Sequence, residues 1–351
     1  MKSLIALLLV SAMIVLGLSS CAGGSNPSDS LSNSPSESES SSDSLSESES
    51  TAKEKTQIRV GGMTGPTTIG MVKLIKDQND GVAANDYVFD IVGSADELSP
   101  KLIQGQLDMA AIPVNLASVL YNRTEGKITL LAVNTLGVLY MVAKGEEIAD
   151  FEDLKGKTIY ATGKGSTPEY NLRYLLSENG IDPDKDVTLE FKSEPTEVVA
   201  LLKNSENAVA MLPQPFATAA MNQVDGLAVA MNLTEEWDKL ENGSRMITGV
   251  MVVRTEFLEA NPDAVAAFLS EYEASIAYVN ENPAEMAPLV EQYVGVKAPI
   301  ATVAIPKCNL AFLSGNEMKA AVAGYLGVLL AQAPQSVGGS LPADAFYYGA
   351  N

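Results

Sequence analysis

The stretch KLIQGQLDMAAIP at residues 101–113 combines the two patterns on which the fold prediction rests. Its first part closes a helical pattern that starts near Ala95, and its second part, Asp108 to Pro113, is a short apolar run that ends at proline. Apolar runs of this length between helical patterns are typical of buried strands. Another helical pattern follows near residues 116–121, so the local order is helix, strand, helix.

The same alternation extends in both directions along the chain. The predicted strands of a first set are 57–62, 87–92, 108–113, 128–134 and 138–144. A second set restarts after residue 151 with strands at 158–161, 187–191, 208–212 and 227–231. Residues 246–254 have the pattern of a strand that returns to the first set, and the chain beyond them is helical. This alternation predicts βαβ units and largely parallel sheets.

The two sets of strands predict an α/β protein with two lobes joined by two crossings, near residues 140–145 and 244–250. Lobe 1 is predicted to contain residues 57–143 and 250–351, and lobe 2 residues 144–249. The length of residues 57–351 is sufficient for two domains of ordinary size.

The N-terminus has the features of an export signal. Lys2 provides a positive charge, residues 4–18 are apolar, and small residues then precede Cys21. We predict a lipoprotein signal peptide at residues 1–20 and lipidation of Cys21, because the end of the signal resembles the bacterial lipobox. The alternative is an ordinary cleaved signal with an incidental cysteine.

Residues 21–56 form a spacer rich in serine and acidic residues. They include SESES at 36–40 and 46–50 and show no apolar periodicity, so they cannot offset the entropy cost of a packed state. Repulsion between carboxylates favours an extended chain. This composition is typical of a disordered tether between a lipid anchor and a folded domain. A tail that serves only solubility is the alternative.

The composition excludes several classes of function. The chain has no histidine, which removes Ser-His-Asp and Cys-His nucleophiles and histidine zinc sites. A net charge of −21 argues against nucleic acid as a partner. If Cys21 carries lipid, Cys308 has no partner for a disulfide. We therefore expect a binding protein rather than an enzyme, with neither metal nor cofactor.

Three loops share one design, in which a strand ends, glycine or proline turns the chain, and a helix begins. In open α/β sheets, ligands bind beyond the carboxyl ends of the strands, where helix N-termini offer N–H donors. The candidate ligand-binding residues in these loops are Met63, Thr64, Gly65, Pro66, Thr67, Gly163, Lys164, Ser166, Thr167, Pro213 and Gln214. The alternative role for the hydroxyl residues is to cap their helices.

Three of the candidate residues need separate comment. Lys164 could contact an anion, although a solvated lysine is the more common case, and the sequence around it lacks both nucleotide-binding fingerprints. Asn115 follows a predicted strand, and its amide could bind ligand or, slightly favoured, cap the next helix. Thr135 lies near the first crossing and is a weaker candidate.

Several runs resemble the nitrate/sulfonate/taurine group of ABC-transporter binding proteins, which also includes thiamine-pyrimidine relatives. They are GGMTGPTT at 61–68, KLIQGQLDMAAIP at 101–113, FEDLKGKTI at 151–159 and MLPQPFA at 211–217. The resemblance covers residues 57–351 and implies a type II periplasmic-binding-protein fold that closes on a small solute. The candidate loops contain no arginine, which clear sulfonate binders would use, so a neutral or zwitterionic solute is also compatible.

The resemblance implies an extracytoplasmic receptor that captures a small anionic or polar solute and delivers it to an ABC importer. Its partners would be the solute, the permease and ATPase subunits, and the membrane through the lipid on Cys21, with the receptor itself a monomer. The alternatives are a surface sensor or interaction lipoprotein of the same fold and, as the weaker one, an enzyme on this fold.

Overall fold

The structure is a computed structural model that describes residues 55–351. The predicted signal peptide, Cys21 and most of the predicted tether lie outside the described residues. The strands are β1 (Gln57–Met63), β2 (Asp86–Val92), β3 (Met109–Pro113), β4 (Ile128–Leu136), β5 (Leu139–Lys144), β6 (Thr158–Thr162), β7 (Thr188–Lys192), β8 (Ala208–Pro213), β9 (Leu227–Asn232), β10 (Ile247–Arg254) and β11 (Leu310–Leu313).

Helices follow most of these strands, and several occur in series after β10. They are α1 (Pro66–Ile69), α2 (Val72–Asn79), α3 (Ala95–Ile103), α4 (Val114–Arg123), α5 (Thr167–Glu178), α6 (Pro195–Asn204), α7 (Phe216–Gln223), α8 (Leu233–Asp238), α9 (Thr255–Ala260), α10 (Pro262–Glu281), α11 (Pro283–Val294), α12 (Ala298–Ala304) and α13 (Gly315–Gln332). In the described part of the chain, no helix has both the length and the apolar character needed to cross a bilayer.

The first sheet has six strands in the order β11-β4-β10-β3-β1-β2. Strand β1 pairs in parallel with β2 and β3, whereas β10 runs antiparallel between β3 and β4. Every residue of β3 is buried, which explains why its sequence is a continuous apolar run rather than an alternating one.

Asp108, directly before β3, joins this strand to β1 near its amino end and to the carboxyl end of β10. Its carboxylate accepts hydrogen bonds from the backbone N–H of Arg59 at 2.9 Å and from the Arg59 Nε at 2.8 Å. The backbone carbonyl of Asp108 accepts from the N–H of Arg254 at 2.9 Å. The aspartate is 2 % exposed, so these bonds replace the water that its charge loses on burial.

The second sheet has five strands in the order β7-β6-β8-β5-β9. Strand β6 is parallel to β7 and β8, and β5 runs antiparallel to β8 and β9. Both sheets are therefore mixed rather than largely parallel. Strands β5 and β10 bring the chain from one sheet into the other, and a strand that enters at the carboxyl ends of its neighbours must run antiparallel to them.

The chain passes twice between the two sheets. The strand β5 was assigned from sequence to the end of lobe 1, but it pairs in the second sheet. The first crossing is therefore Gly137–Val138, between β4 and β5. The second crossing precedes Ile247, where β10 begins, three residues before the predicted start of the returning segment at 250. The division into two lobes stays a prediction, now with these bounds.

Two further side chains, Trp237 and Cys308, are part of the packing. Trp237 is fully buried, with its ring centroid 4.8 Å from that of Tyr174 and 5.5 Å from that of Tyr325. Cys308 is a free cysteine and is also fully buried, and its thiol lies 3.3 Å from the carbonyl oxygen of Ala304. Burial raises the pKa of this thiol, because the charged thiolate would lose its hydration.

Candidate ligand-binding site

The carboxyl edges of the two sheets meet at the first crossing. Strand β4 ends at Leu136, and only Gly137 and Val138 separate it from β5. The carbonyl of Val138 accepts a hydrogen bond from the backbone N–H of Gln214, directly after β8, at 2.9 Å. The end of β4 in one sheet and the end of β8 in the other are therefore held side by side.

The loop after β1 presents one buried hydroxyl without a partner. The backbone N–H of Thr64 donates to the carbonyl of Val92 at 2.8 Å, and the Thr68 hydroxyl donates to the carbonyl of Met63 at 2.5 Å. These bonds fix the turn that contains Gly65 and Pro66. Thr67 is 2 % exposed, and its Oγ1 has no hydrogen-bond partner among the described residues.

Glycine at position 249 allows Thr67 to approach the sheet. A methyl group built on Gly249 would lie 2.3 Å from Thr67 Cγ2 and 2.6 Å from Asn134 Oδ1. Both contacts are shorter than van der Waals separation, so any side chain there would push two polar groups apart. Burial raises the pKa of the nearby Tyr272, and an interaction with Asn134 opposes this shift.

The loop after β6 is held by an acidic side chain. Glu169 accepts a hydrogen bond from the backbone N–H of Gly165 at 2.6 Å and another from Arg173 Nε at 2.9 Å. Lys164 is exposed, and Gly163 is partly buried. Thr167 is 1 % exposed, and its Oγ1 has no partner within the described chain.

The hydroxyl residues of the first two loops do not cap the helices that follow them. The residue before α1 is Gly65, and the residue before α5 is Ser166, which makes no side-chain hydrogen bond to its helix. After β8 the residue before α7 is Pro215, which makes no side-chain bond to its helix. The preceding Gln214 instead accepts at its Oε1 from the N–H of Thr218 at 3.3 Å and from its hydroxyl at 2.8 Å. Pro213 is the last residue of β8 and is buried.

Asn115 connects the two sheets rather than capping a helix. It lies in the first turn of α4, and the residue before that helix is Pro113. Its Nδ2 donates to the carbonyl of Ser336 at 3.2 Å and to the carbonyl of Gly165 at 3.5 Å. The slightly favoured prediction of a cap is therefore wrong, because the side chain turns towards the loop after β6. Its Oδ1 is buried without a partner in the region that the structure describes.

The paired strands β4 and β10 add further polar groups. Thr135 is fully buried and pairs with Gly249, which in turn pairs with Pro113 at the end of β3. Thr135 Oγ1, Thr248 Oγ1 and both polar atoms of Asn134 have no hydrogen-bond partner in residues 55–351. Sequence reasoning missed Asn134, Thr248 and Tyr272.

We refer to these unpartnered side chains collectively as the polar edge. Its members are uncharged and nine-tenths or more buried. They lie at the carboxyl ends of strands, in the helices that follow, or, for Thr248, at the amino end of the antiparallel strand β10. They are Thr67, Asn115, Asn134, Thr135, Thr167 and Thr248. Such a set of donors and acceptors suits a small polar molecule.

Other features of the surface do not coincide with the polar edge. A surface concavity of about 680 Å³ lies at the far end of α5, where Arg173, Asp182 and Asp184 contribute to its lining together with Gln332. None of the candidate residues lines it. Within the described residues no group of acidic, cysteine or histidine side chains is arranged to hold a metal ion.

Comparisons with known proteins agree with this architecture. A crystal structure of an ABC transporter protein from Parabacteroides distasonis is 25% identical, with a TM-score of 0.68, over 84% of this chain and 99% of that one. The periplasmic aliphatic sulphonate binding protein of Escherichia coli is 15% identical, with a TM-score of 0.67, over 84% and 92% of the two chains. These structures confirm the predicted type II periplasmic-binding-protein fold.

Sequence relatives point the same way. A protein of Brucella abortus (strain 2308) named as a binding protein is 26% identical over 202 residues, which are 57% of this chain and 60% of that protein. The chain thus matches less than two thirds of the length of this curated relative. The NMT1-like family matches residues 52–292, more than half of the chain. The chain therefore belongs to the NMT1-like family.

Proposed function

We propose that this protein is the solute-binding component of an ABC importer and that it takes up a small polar solute at the polar edge. One observation carries the proposal: six side chains at the facing edges of two sheets keep buried polar atoms without a partner among residues 55–351. Polar groups in protein interiors are nearly always hydrogen-bonded, and a concentration of exceptions calls for a missing partner.

The energetic cost of these unpartnered groups favours a ligand-binding role over a purely structural one. Leaving one buried polar group unsatisfied costs about 1–3 kcal/mol, so a cluster of them is a substantial loss of stability. A bound solute recovers this loss by supplying the missing donors and acceptors.

The origin of the polar groups explains how binding would close the protein. Thr67, Asn134, Thr135 and Thr248 come from the first sheet and its helices, and Thr167 comes from the second. A solute that contacts both groups favours the arrangement in which the edges are together. We propose lobes of residues 57–138 with 247–351 and of residues 139–246, hinged at the two crossings.

The comparisons support the transport role and the partners. The structural neighbours are named as an ABC transporter protein and as a sulphonate-binding protein, and the sequence relative as a binding protein. By this likeness the partners here are a permease and an ATPase, and the location is extracytoplasmic. The proposed lipid anchor on Cys21 rests on the sequence that precedes this residue. A binding role without catalysis also agrees with the lack of histidine in the sequence.

A thermal-shift screen tests the proposal. The full chain is unfolded, refolded to remove bound solute, and heated with sulfonates, nitrate, taurine, amino acids and sugars. A solute at 100 times its dissociation constant adds about 2.7 kcal/mol to stability, which raises the melting temperature by about 4–5 °C for a protein of this size. Absence of a shift with every class would contradict the proposal.

A second measurement tests the partner. Membranes are solubilised from cells that express the tagged full chain, and the bound proteins are identified by mass spectrometry. Recovery of a permease and an ATPase that depends on the solute supports transport. Recovery of a different membrane protein in their place would favour a sensor.

A further inference from the structure

We infer that the solute is uncharged and carries at least one N–H or O–H donor; this inference rests on the proposed function. It narrows the solute class by excluding anions that only accept hydrogen bonds, such as nitrate and alkanesulfonates. Two independent features lead to it, the orientation of one amide and the distribution of charge around the polar edge.

The orientation of the Asn115 amide follows from its partners. Its nitrogen faces two backbone carbonyls, those of Ser336 and Gly165, and carbonyls only accept hydrogen bonds. The nitrogen must therefore occupy that side of the amide, and the oxygen must occupy the other. The hydrogen-bond partners alone therefore fix which side of the amide carries the nitrogen.

The remaining oxygen of Asn115 needs a donor. Oδ1 is an acceptor only, it is buried, and it has no partner in residues 55–351. Nitrate and sulfonate groups carry no hydrogen to donate, so either anion would place an oxygen against an oxygen. A hydroxyl, an amide or a ring N–H would satisfy the group.

The charge distribution disfavours a net charge on the solute. All six side chains of the polar edge are uncharged, and Lys164 in the neighbouring loop is exposed. An ion moved into such a site loses its hydration without gaining a counter-charge, which is strongly unfavourable. An uncharged solute avoids this cost.

The loop after β6 cannot compensate by acting as an anion site. Its backbone donor at Gly165 is already bonded to the carboxylate of Glu169 at 2.6 Å. That carboxylate also lies in the first turn of α5, where it interacts favourably with the positive end of the helix dipole. A second negative charge at this position would be repelled by Glu169.

Matched pairs of probes test the inference on the unaltered full chain. Methanesulfonate and methanesulfonamide have nearly the same shape, but only the second is uncharged and carries N–H donors. Nitrate and urea form a second, planar pair with the same difference. Titration calorimetry of the refolded protein is expected to show at least tenfold tighter binding of the uncharged member in at least one pair, and tighter binding of either anion would overturn the inference.

The variant Asn115→Leu adds a test at the level of one residue. We expect it to reduce the preference for sulfonamide over sulfonate, because it removes the acceptor that only the sulfonamide satisfies. An unchanged preference would overturn the role of Asn115. If loss of its bonds to Ser336 and Gly165 unfolds this variant, as circular dichroism would show, the probe pairs on the unaltered chain decide the question.

The outcomes separate this inference from the proposed function. If neither pair binds but the broad screen finds a solute, the chemistry of that solute decides: an uncharged donor supports the inference, and an anion without a donor overturns it while transport stands. If no solute binds at all, both fail.

Discussion

Replacing Thr135 by Val removes one hydroxyl from β4 and leaves the shape and the strand preference of the residue nearly unchanged. Thr135 is fully buried, and its Oγ1 has no partner among the described residues. The hydroxyl therefore lost its hydration on folding without gaining a bond. Its removal should raise the unfolding free energy of the solute-free protein by about 1 kcal/mol.

The same substitution should weaken solute binding. If the solute completes the bonding of Thr135, the variant loses one neutral hydrogen bond, which is about 0.5–1.5 kcal/mol. This corresponds to a roughly 2- to 12-fold increase in the dissociation constant. A substitution that stabilises the solute-free protein and also weakens solute binding is not expected at a purely structural position.

Thr129→Val is the matched control on the same strand. Thr129 is 5 % exposed, and its hydroxyl is bonded to that of Thr255 at 2.9 Å. Removing it should lower the unfolding free energy by about 1 kcal/mol and leave solute affinity unchanged. Urea denaturation and titration calorimetry measure the two quantities. Equal destabilisation by both substitutions, with no loss of affinity for Thr135→Val, would refute the reasoning.

Three further substitutions test other parts of the structure. Gly249→Ala should weaken solute binding at least tenfold, because its methyl group would displace two side chains of the polar edge; unchanged affinity in calorimetry would contradict this. Glu169→Gln should loosen the loop at Gly165, seen as faster amide hydrogen exchange there, and a protection equal to that of the unaltered chain would argue against it. Asp108→Ala should lower the unfolding free energy by about 2–3 kcal/mol, because the hydrogen bonds to Arg59 are lost. Urea denaturation measures this loss, and solute affinity serves as the control. A loss below about 0.5 kcal/mol, which is within the usual range for surface substitutions, would contradict the prediction.

Local pattern is sufficient to locate most strands and helices, but it does not predict the short strand β11 or the mixed direction of the sheets. The run at Asp108 to Pro113 forms an inner strand of its sheet. Strands that are covered on both faces have continuous apolar sequences, so they are recognisable from composition alone. The three loops were located because strand, turn and helix signals follow each other within a few residues. The sheet to which β5 belongs was not predictable in this way, since pairing with β8 depends on residues about seventy positions later.

The polar edge was only partly predictable for a related reason. Thr67, Thr135 and Thr167 follow recognisable strands, but Thr248 becomes a neighbour of Thr135 only through the antiparallel pairing of β10 with β4. A polar residue inside an apolar strand, as at Asn134, is a signal that could have been used. Tyr272 carries no such signal, because an aromatic residue in a helix usually belongs to the core.

The buried thiol of Cys308 can report how often the structure around it opens to solvent. With its pKa raised by burial and its sulfur shielded from solvent, the thiol reacts with alkylating reagents only after the surrounding structure opens. When opening and closing are fast, the rate of labelling reports the free energy of that opening. Alkylation followed by mass spectrometry at increasing solute concentration should therefore slow progressively. Because Cys308 is a natural residue, this measurement needs no engineered cysteine.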